Sequence, residues 1–239
     1  MAHPQAGAFI FDLDGVIVDS NGLHVASWQV VAERHGFACP HPEYIGKCGL
    51  RTRAVIRELL RWPVSEEEAD RLGLEKEELY REWIRRDGIR PIPGVLDFLA
   101  AARQLGILCA VGSSAPRENV DLCLQALALT AWFPVTISGA DVQRGKPAPD
   151  IFLQAAAGLG VPPAQCVVFE DAPAGIAAAH AAGMKAIGIL SSHTRDELAG
   201  AERLAPDFTS LQPAAVLALA AAARHSAAAG SGLQFHFQP

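Results

Sequence analysis

Two aspartates stand two positions apart near the start of the chain, in the segment FDLDG. Asp12 and Asp14 follow the apolar run 8–11, and Gly15 comes directly after them. Side chains at positions i and i+2 of an extended backbone point to the same side, so both carboxylates can face one site. Two like charges ~4 Å apart repel by roughly 4 kcal/mol at an effective dielectric constant of 20. The pair therefore favours a bound cation or a shared proton, and two solvated loop aspartates are the alternative.

A second acidic pair, Glu170 and Asp171, also ends an apolar run, in the segment CVVFED. In open α/β sheets, ligands gather beyond the carboxyl ends of the parallel strands, so the two pairs can converge on one site. Convergent carboxylates offer the hard oxygen ligands that Mg²⁺ accepts beside phosphate and water. Solvated helix caps are the less favoured alternative. The candidate metal ligands are Asp12, Asp14, Glu170 and Asp171.

Hydroxyl and ammonium groups stand at two further loop positions. Ser113 and Ser114 follow an apolar run and precede Pro116 and a helical pattern. A hydroxyl and free backbone N–H groups at such a junction can bind a phosphate oxygen, and a serine there can also cap the helix. Lys146 stands in GKPAPDIF, where prolines stiffen the loop and lower the entropic cost of holding the ammonium in place. We therefore expect Lys146 to be a placed cation rather than a solvated surface charge.

These groups depend on a framework of alternating strands and helices. Buried strands are predicted from four apolar runs, at residues 8–11, 107–111, 166–169 and 186–190. Helical periodicity is found at residues 95–105, 117–127, 151–159 and 175–182. Strands that alternate with helices indicate βαβ units. The predicted fold class is therefore α/β, a Rossmann-like parallel sheet with helices on both faces.

The segment from about residue 23 to residue 87 differs from the rest, because it has helical patterns, many charges and no convincing strand. Acidic and basic residues alternate there at i, i+4 spacing, as on solvated helix faces. We expect a small helical cap domain at 18–91, inserted after the first strand, and an α/β core formed by 1–17 and 92–225. The tail 226–239 has linker composition and is expected to be flexible.

Composition argues against several classes of function. The chain has 239 residues with a net charge of −6, without the basic footprint of nucleic-acid-binding proteins. The apolar stretch 214–223 is too short to span a bilayer, and the N-terminal segment lacks the features of a signal peptide. Five cysteines without CxxC spacing favour reduced core residues over disulfides or a zinc site. We expect a cytoplasmic monomer with no nucleic-acid or membrane partner.

The motifs follow one another in a specific order: DxDG, serine after a strand, lysine before a proline-rich loop, and ED after a strand. This ordered set resembles the haloacid dehalogenase superfamily, in particular its phosphatases and β-phosphoglucomutases with a small helical cap. The resemblance spans residues 8–212, and four motifs in order make it specific. It implies a Mg²⁺-dependent enzyme that removes phosphate from a small phosphorylated metabolite, beneath a cap that closes over the substrate and excludes water.

The resemblance also implies a role for each motif residue. Asp12 would attack phosphorus and form a phosphoryl-aspartate. Asp14 would act as general acid and base, and its main-chain carbonyl would bind the metal. Ser113 would hold a phosphate oxygen, with Ser114 as a second phosphate-binding candidate, and Lys146 would pair with the nucleophile and the phosphate.

The metal ligands and the subfamily follow from the same comparison. Asp171 would coordinate Mg²⁺ directly, with Glu170 beside it or acting through water. Haloacid dehalogenases themselves lack an acid at the position of Asp14 and need no metal. Phosphonoacetaldehyde hydrolases replace that residue as well. Both subfamilies are therefore disfavoured.

Substrate choice is expected to lie in the cap. His24 matches a histidine found in the mutases and in many phosphatases. Lys47, Arg51 and Arg53 resemble the cap segment that reaches the substrate. Asn119, beside the serine motif, is a further candidate, although a helix-surface role suits it equally. The mutase pattern Lys-Gly-Val-Ser-Arg is absent, because GKCGLRTR contains a cysteine and shifts the glycine. We therefore prefer a phosphatase to a β-phosphoglucomutase-type mutase. A non-catalytic binding protein is a third hypothesis, disfavoured because such a module needs no nucleophile.

Overall fold

The computed structural model of the protein describes residues 7–45 and 49–220. Six strands, β1 to β6 in chain order, are Ala8–Phe11, Leu108–Gly112, Val135–Ile137, Cys166–Glu170, Lys185–Ile189 and Arg203–Ala205. They form one parallel sheet in the spatial order β3-β2-β1-β4-β5-β6. The four predicted strands are present as β1, β2, β4 and β5. The short edge strands β3 and β6 were not predicted, because three residues are too few to produce a recognisable apolar run.

Helices α1 to α8 of the described chain are Asn21–His35, Pro42–Ile45, Thr52–Ala54, Glu66–Asp87, Val95–Gln104, Arg117–Ala126, Asp150–Leu159 and Pro173–Ala181. Helix α3 continues into a π-helical turn, Val55–Leu60, and 3₁₀ turns occupy Thr130–Trp132, Gly139–Asp141 and Pro163–Gln165. Helices α5 and α6 pack on one face of the sheet, and α7 and α8 pack on the other. The predicted α/β fold with helices on both faces is therefore confirmed.

Strand β1 lies in the middle of the sheet and has apolar contacts on both faces. Phe9 and Phe11 point to one face, where the ring of Phe11 stacks on Phe169 with centroids 4.7 Å apart. Ala8 and Ile10 point to the other face, as the two-residue period of a strand requires. Phe11 is also in register with Phe169 of β4. Strands β1 and β4 therefore end side by side, and the residues after them emerge at one edge of the sheet.

The helices before residue 88 have a hydrophobic core of their own. Trp28 and Val31 of α1 pack with Ile56, Trp62 and Leu72 of the following segments. This helical unit is placed where the cap was predicted, and the domain boundaries themselves stay a prediction. Among the described residues, no helix is long and apolar enough to cross a membrane.

Two chain segments connect the helical unit to the sheet and are paired with each other. Val18 forms an antiparallel bridge with Pro91. The N–H of Asp19 donates to the carbonyl of Arg90 at 2.9 Å, and the N–H of Ile92 donates to the carbonyl of Ile17 at 3.0 Å. The hydrogen bonds hold the start of the helical unit and its end against the carboxyl edge of the sheet.

Some predictions fall where the structure gives no description. Lys47, Cys48 and the tail 226–239 lie outside the described residues. The four cysteines inside the described ranges carry free thiols, as predicted, at Cys39, Cys109, Cys123 and Cys166.

Candidate active site

Three buried carboxyl groups meet where strands β1 and β4 end. Asp12 follows β1, Glu170 is the last residue of β4, and Asp171 comes next in the chain. One oxygen of each lies within 4.8 Å of the others, an arrangement that could hold a metal ion. All three residues are at most 7% exposed. The structure thus brings together three of the four predicted metal ligands, and the side chain of Asp14 lies outside this group.

The ammonium group of Lys146 lies between two of these carboxylates. Its Nζ donates to Oδ1 of Asp12 at 2.6 Å and to Oε1 of Glu170 at 2.5 Å. The side chain is only 2% exposed, and its ammonium sits 4.8 Å from the ring centroid of Phe152. The loop before α7 therefore places the lysine as a fixed internal cation, which agrees with the expectation from its proline-rich frame.

The negative charge of this cluster exceeds the positive charge of Lys146. Burial raises the pKa of Asp12 to about 7, and the charges of Glu170 and Asp14 add to the effect while Lys146 opposes it. Burial, together with the charges of Glu170 and Asp12, raises the pKa of Asp171 well above its ordinary value. One lysine is therefore not enough to neutralise the site, and a divalent cation held by carboxylate oxygens would satisfy the remaining charge.

Two glycines allow the carboxylates to approach the backbone so closely. A Cβ on Gly15 would lie 2.0 Å from Oδ2 of Asp171, and the residue has φ of 73°, which favours glycine. A Cβ on Gly175 would lie 1.8 Å from Oε1 of Glu170. Side chains at either position would displace the carboxylates, so the glycines of the DxDG and ED motifs serve the geometry of the site.

Asp14 faces the cap helices instead of the carboxylate cluster. Its Oδ1 accepts hydrogen bonds from Ser20 Oγ at 2.6 Å and Tyr80 OH at 3.3 Å, and lies 3.0 Å from His24 Nε2. Burial alone would raise the pKa of Asp14, but the charge and hydrogen bond of His24 and the bond from Ser20 lower it to about 2. Asp14 is therefore a carboxylate at neutral pH whose orientation is controlled from the cap.

Two buried charged residues of α4 also reach this site, and the motifs of the sequence do not predict them. Lys76 Nζ lies 2.7 Å from Nδ1 of His24 and 3.2 Å from both oxygens of Glu77. Glu77 also accepts hydrogen bonds from Thr52 Oγ1 at 2.5 Å and Asn119 Nδ2 at 2.7 Å. The charge-rich pattern of α4 was interpreted as a solvated surface. Their positions in the helix do indicate burial, because both residues fall on the stripe of buried residues that runs from Ala69 through Leu72 and Tyr80 to Ile84.

The two serines after β2 line the same cavity, but their hydroxyl groups differ in hydrogen bonding. Ser113 Oγ accepts a hydrogen bond from the N–H of Ala115 at 3.1 Å. Ser114 Oγ is buried and has no hydrogen-bond partner within the described residues. Both residues line a cavity with Asp12, Asp14 and Asp171. A buried hydroxyl without a partner is rare, and rotation of the Ser114 side chain toward the cavity would bring its hydroxyl to a ligand oxygen.

The residues that were predicted to contact the substrate do not all lie at the cavity. His24 lines the cavity. Arg51 instead donates to main-chain carbonyls of the loop before α7, at 2.8 Å to Val142 and 3.3 Å to Gln143. Asn119 is buried and bonded to Glu77 across the boundary between the helical unit and the sheet. The structure therefore brings His24 to the cavity and uses Arg51 and Asn119 to join the helical unit to the sheet, and their roles toward a substrate stay predictions.

A family model of the haloacid dehalogenase-like hydrolases matches residues 6–183. The chain belongs to this family. A second model of hydrolases of the same type matches residues 143–225. The predicted identification as a haloacid dehalogenase-like hydrolase is therefore confirmed.

Relatives of this family are similar over most of the chain. Validoxylamine A 7'-phosphate phosphatase of Streptomyces hygroscopicus subsp. limoneus is 31% identical, over 85% of this chain and 94% of the relative. Fructose-1-phosphate phosphatase YqaB of Escherichia coli is 33% identical, over 78% of this chain and 98% of the relative. The crystal structure of a β-phosphoglucomutase from Clostridium difficile is 27% identical with a TM-score of 0.79, covering 92% of this chain and 99% of the other.

Proposed function

We propose that this haloacid dehalogenase-like hydrolase is a Mg²⁺-dependent phosphatase of a small phosphomonoester, a sugar phosphate or a related metabolite. The observation that carries the proposal is the buried group of Asp12, Glu170, Asp171 and Lys146, beside a cavity that Ser113 and Ser114 line together with Asp12 and Asp171. Phosphoryl transfer needs positioning and charge neutralisation, and this arrangement supplies both.

Asp12 is the proposed nucleophile. One of its oxygens attacks the phosphorus, the bond between phosphorus and the leaving oxygen breaks, and that oxygen takes the electron pair and a proton from Asp14. Water then attacks the phosphoryl-aspartate and gives a proton to Asp14, and Asp12 leaves as a carboxylate while phosphate is released. The covalent intermediate divides one difficult displacement into two easier ones. Lys146 reduces the repulsion between the nucleophile and the anionic phosphate.

Asp14 is the proposed general acid and base. In the substrate-free protein it is the carboxylate, with its pKa lowered to about 2, and this form accepts a proton from water. The approach of an anionic phosphate raises the pKa of a nearby carboxyl group, which favours the protonated form that the leaving oxygen needs. Ser20, His24 and Tyr80 hold the Oδ1 atom, which fixes the orientation of the carboxyl group and leaves its second oxygen, Oδ2, for both transfers.

Asp12 and Asp171 would hold the metal directly, and the main-chain carbonyl of Asp14 would complete the protein ligands. Both oxygens of Glu170 already accept hydrogen bonds, from Lys146 and from the N–H groups of Asp171 and Ala172, which suits a contact through water. When bound, Mg²⁺ supplies charge neutralisation and orients the phosphoryl oxygens. Carboxylate oxygens in this number fit Mg²⁺, which retains places for phosphate and water.

The helical unit is the proposed lid, and the names of the relatives support a sugar-like substrate. His24 lines the cavity, and Lys47, Arg51 and Asn119 remain proposed substrate contacts. Two relatives are, by name, phosphatases of fructose 1-phosphate and of validoxylamine A 7'-phosphate. We place the protein in the cytoplasm as a monomer.

A phosphoglucomutase-type isomerase is the second candidate, and the structural likeness to β-phosphoglucomutase favours it. It predicts conversion of β-glucose 1-phosphate to the 6-phosphate, stimulated by a sugar bisphosphate, with little free phosphate. The two candidates are separated by measuring both products from the same reaction. Release of phosphate without the isomerised product supports the phosphatase.

The decisive experiment is a panel of sugar phosphates and related phosphomonoesters, assayed for phosphate release with MgCl₂ and with EDTA. Wild-type protein should hydrolyse at least one compound in MgCl₂ and none in EDTA. Asp12→Asn, which keeps the size of the side chain, should lower kcat at least about a thousandfold because the amide is not a nucleophile. Asp19→Asn is the control and should keep its activity. Asp19 is an exposed residue of the segment that pairs with Arg90 and connects the helical unit to the sheet. Turnover by Asp12→Asn at the wild-type rate would contradict the mechanism.

A further inference from the structure

The loop after strand β5 places three consecutive polar side chains against the proposed metal site. Ser191 Oγ donates to the main-chain carbonyl of Gly15 at 2.5 Å. Ser192 Oγ lies 2.5 Å from Oδ2 of Asp171, and His193 Nδ1 lies 2.7 Å from the carbonyl oxygen of Asp171. The loop thus contacts both acidic motifs, one after β1 and one after β4, from the same side.

One assignment of protons accounts for the shortest contact that Ser192 and His193 each make with Asp171. Ser192 Oγ also lies 3.0 Å from the carbonyl oxygen of Asp171 and 2.9 Å from Nδ1 of His193. A hydroxyl has a single proton, and a histidine that carries its proton on Nδ1 can donate from that atom. The hydroxyl then donates to the carboxylate of Asp171, and His193 donates to its carbonyl. Both the side chain and the backbone of Asp171 are fixed by this loop.

We propose that Ser192, supported by His193, is a positioning residue that holds the carboxylate of Asp171 in the orientation needed to bind the divalent cation. This rests on the proposed function, because it takes Asp171 as a metal ligand. A carboxylate without an outer hydrogen bond rotates about its last side-chain bond, and ordering it costs part of the binding free energy. Hydrogen bonds from outside the ligand sphere typically change metal affinity ten- to a hundredfold.

The packing around Asp171 explains why the orientation depends on Ser192. Oδ2 lies against Gly15, where a Cβ would come within 2.0 Å, so the backbone limits the space on that side of the carboxylate through steric contact. Ser192 provides a hydroxyl donor to the same oxygen. Loss of the hydroxyl therefore removes a directional contact, while the steric contact with Gly15 stays.

The test is direct binding of Mn²⁺ to the full-length protein, measured by the electron paramagnetic resonance signal of the free ion. Ser192→Ala should raise the Kd for Mn²⁺ at least about tenfold, and the concentration of Mg²⁺ that half-saturates turnover should rise in parallel. Thr194→Ala is the matched control, because this threonine of the same loop bonds to Glu197 and not to the site. It should bind Mn²⁺ as the wild type does.

A pair of nearly isosteric variants keeps the test valid if Ser192→Ala is poorly folded. Ser192→Thr retains the hydroxyl and should bind Mn²⁺ near the wild-type Kd, whereas Ser192→Val lacks it and should bind at least about tenfold more weakly. Equal Kd values for the Thr and Val variants would overturn the positioning role. Failure of the wild type to bind Mn²⁺ at all would overturn the proposed metal-dependent function instead, so the two failures are distinguishable.

Discussion

Ser113 and Ser114 are adjacent in the chain, yet the fold treats their hydroxyls differently. Ser113 Oγ accepts a hydrogen bond from Ala115, whereas Ser114 Oγ is buried without a partner in the described part of the chain. A buried polar group that lacks a partner costs stability, roughly 1–3 kcal/mol. Proteins keep such groups where a ligand satisfies them, and the position of Ser114 in the cavity with Asp12 fits that explanation.

Ser114→Ala should therefore raise the stability of the substrate-free protein and weaken its affinity for the substrate. We expect a free energy of unfolding higher by roughly 1 kcal/mol, and a KM raised about five- to tenfold through loss of a contact to the phosphate. Ser113→Ala should have the opposite effect on stability, since its hydroxyl is already bonded to the backbone. Thermal and urea unfolding with steady-state kinetics measure both variants. A Ser114→Ala protein that is less stable than wild type would contradict this account.

At the scale of elements, Arg51 and Asn119 make two of the contacts that join the helical unit to the sheet. Arg51 donates to the carbonyls of Val142 and Gln143, in the loop that carries Lys146. Asn119 of α6 donates to Glu77 of α4. If the helical unit is the proposed lid, both contacts have to break when it moves away from the sheet. The structure therefore corresponds to a closed arrangement.

Arg51→Ala should favour an open arrangement in the substrate-free protein. Two lost hydrogen bonds are worth about 1–3 kcal/mol together, which moves the equilibrium at least about fivefold toward the open form. Small-angle X-ray scattering should show a larger radius of gyration for this variant. Arg53→Ala is the matched control, because Arg53 bonds to Asp70 and Glu66 within the helical unit. If Arg51 acted only on the substrate, the two variants would scatter alike without substrate.

The sequence predicted the elements with strong local signals and missed those defined by tertiary contacts. Strands β1, β2, β4 and β5 were predicted because burial on both faces makes them continuous apolar runs. The edge strands β3 and β6 have three residues each and little pattern. The acidic motifs and Lys146 were found because glycine and proline mark their loops. Lys76 and Ser192 were missed, since a lysine in a charged helix and a serine in a loop acquire meaning only from neighbours distant in sequence.

At the scale of the whole molecule, the fold holds together a group of carboxylates whose mutual repulsion destabilises the folded state. Strands β1 and β4 are fixed side by side by their register and by the stacked rings of Phe11 and Phe169. That arrangement forces Asp12, Glu170 and Asp171 together in a buried place. The apolar core on both faces of the sheet supplies the free energy that offsets their repulsion. Stability of the protein should therefore depend on the protonation of the site and on a bound cation.

The sign of this pH dependence follows from Asp12, whose pKa rises from 3.8 to about 7 on folding. Between these values the folded protein binds more protons than the unfolded chain, so this group's contribution to stability falls as pH increases from about 4 to about 7. In EDTA, the Tm of the wild type should therefore drop over this range relative to that of Asp12→Asn, which has no titrating group at position 12. MgCl₂ should raise the Tm of the wild type most near pH 7 and above, where Asp12 is ionised and the cation relieves the repulsion. Differential scanning calorimetry of both proteins from pH 5 to pH 8, with and without MgCl₂, measures these differences. Parallel Tm curves for the two proteins in EDTA would mean that the titration of Asp12 does not change the stability of the protein.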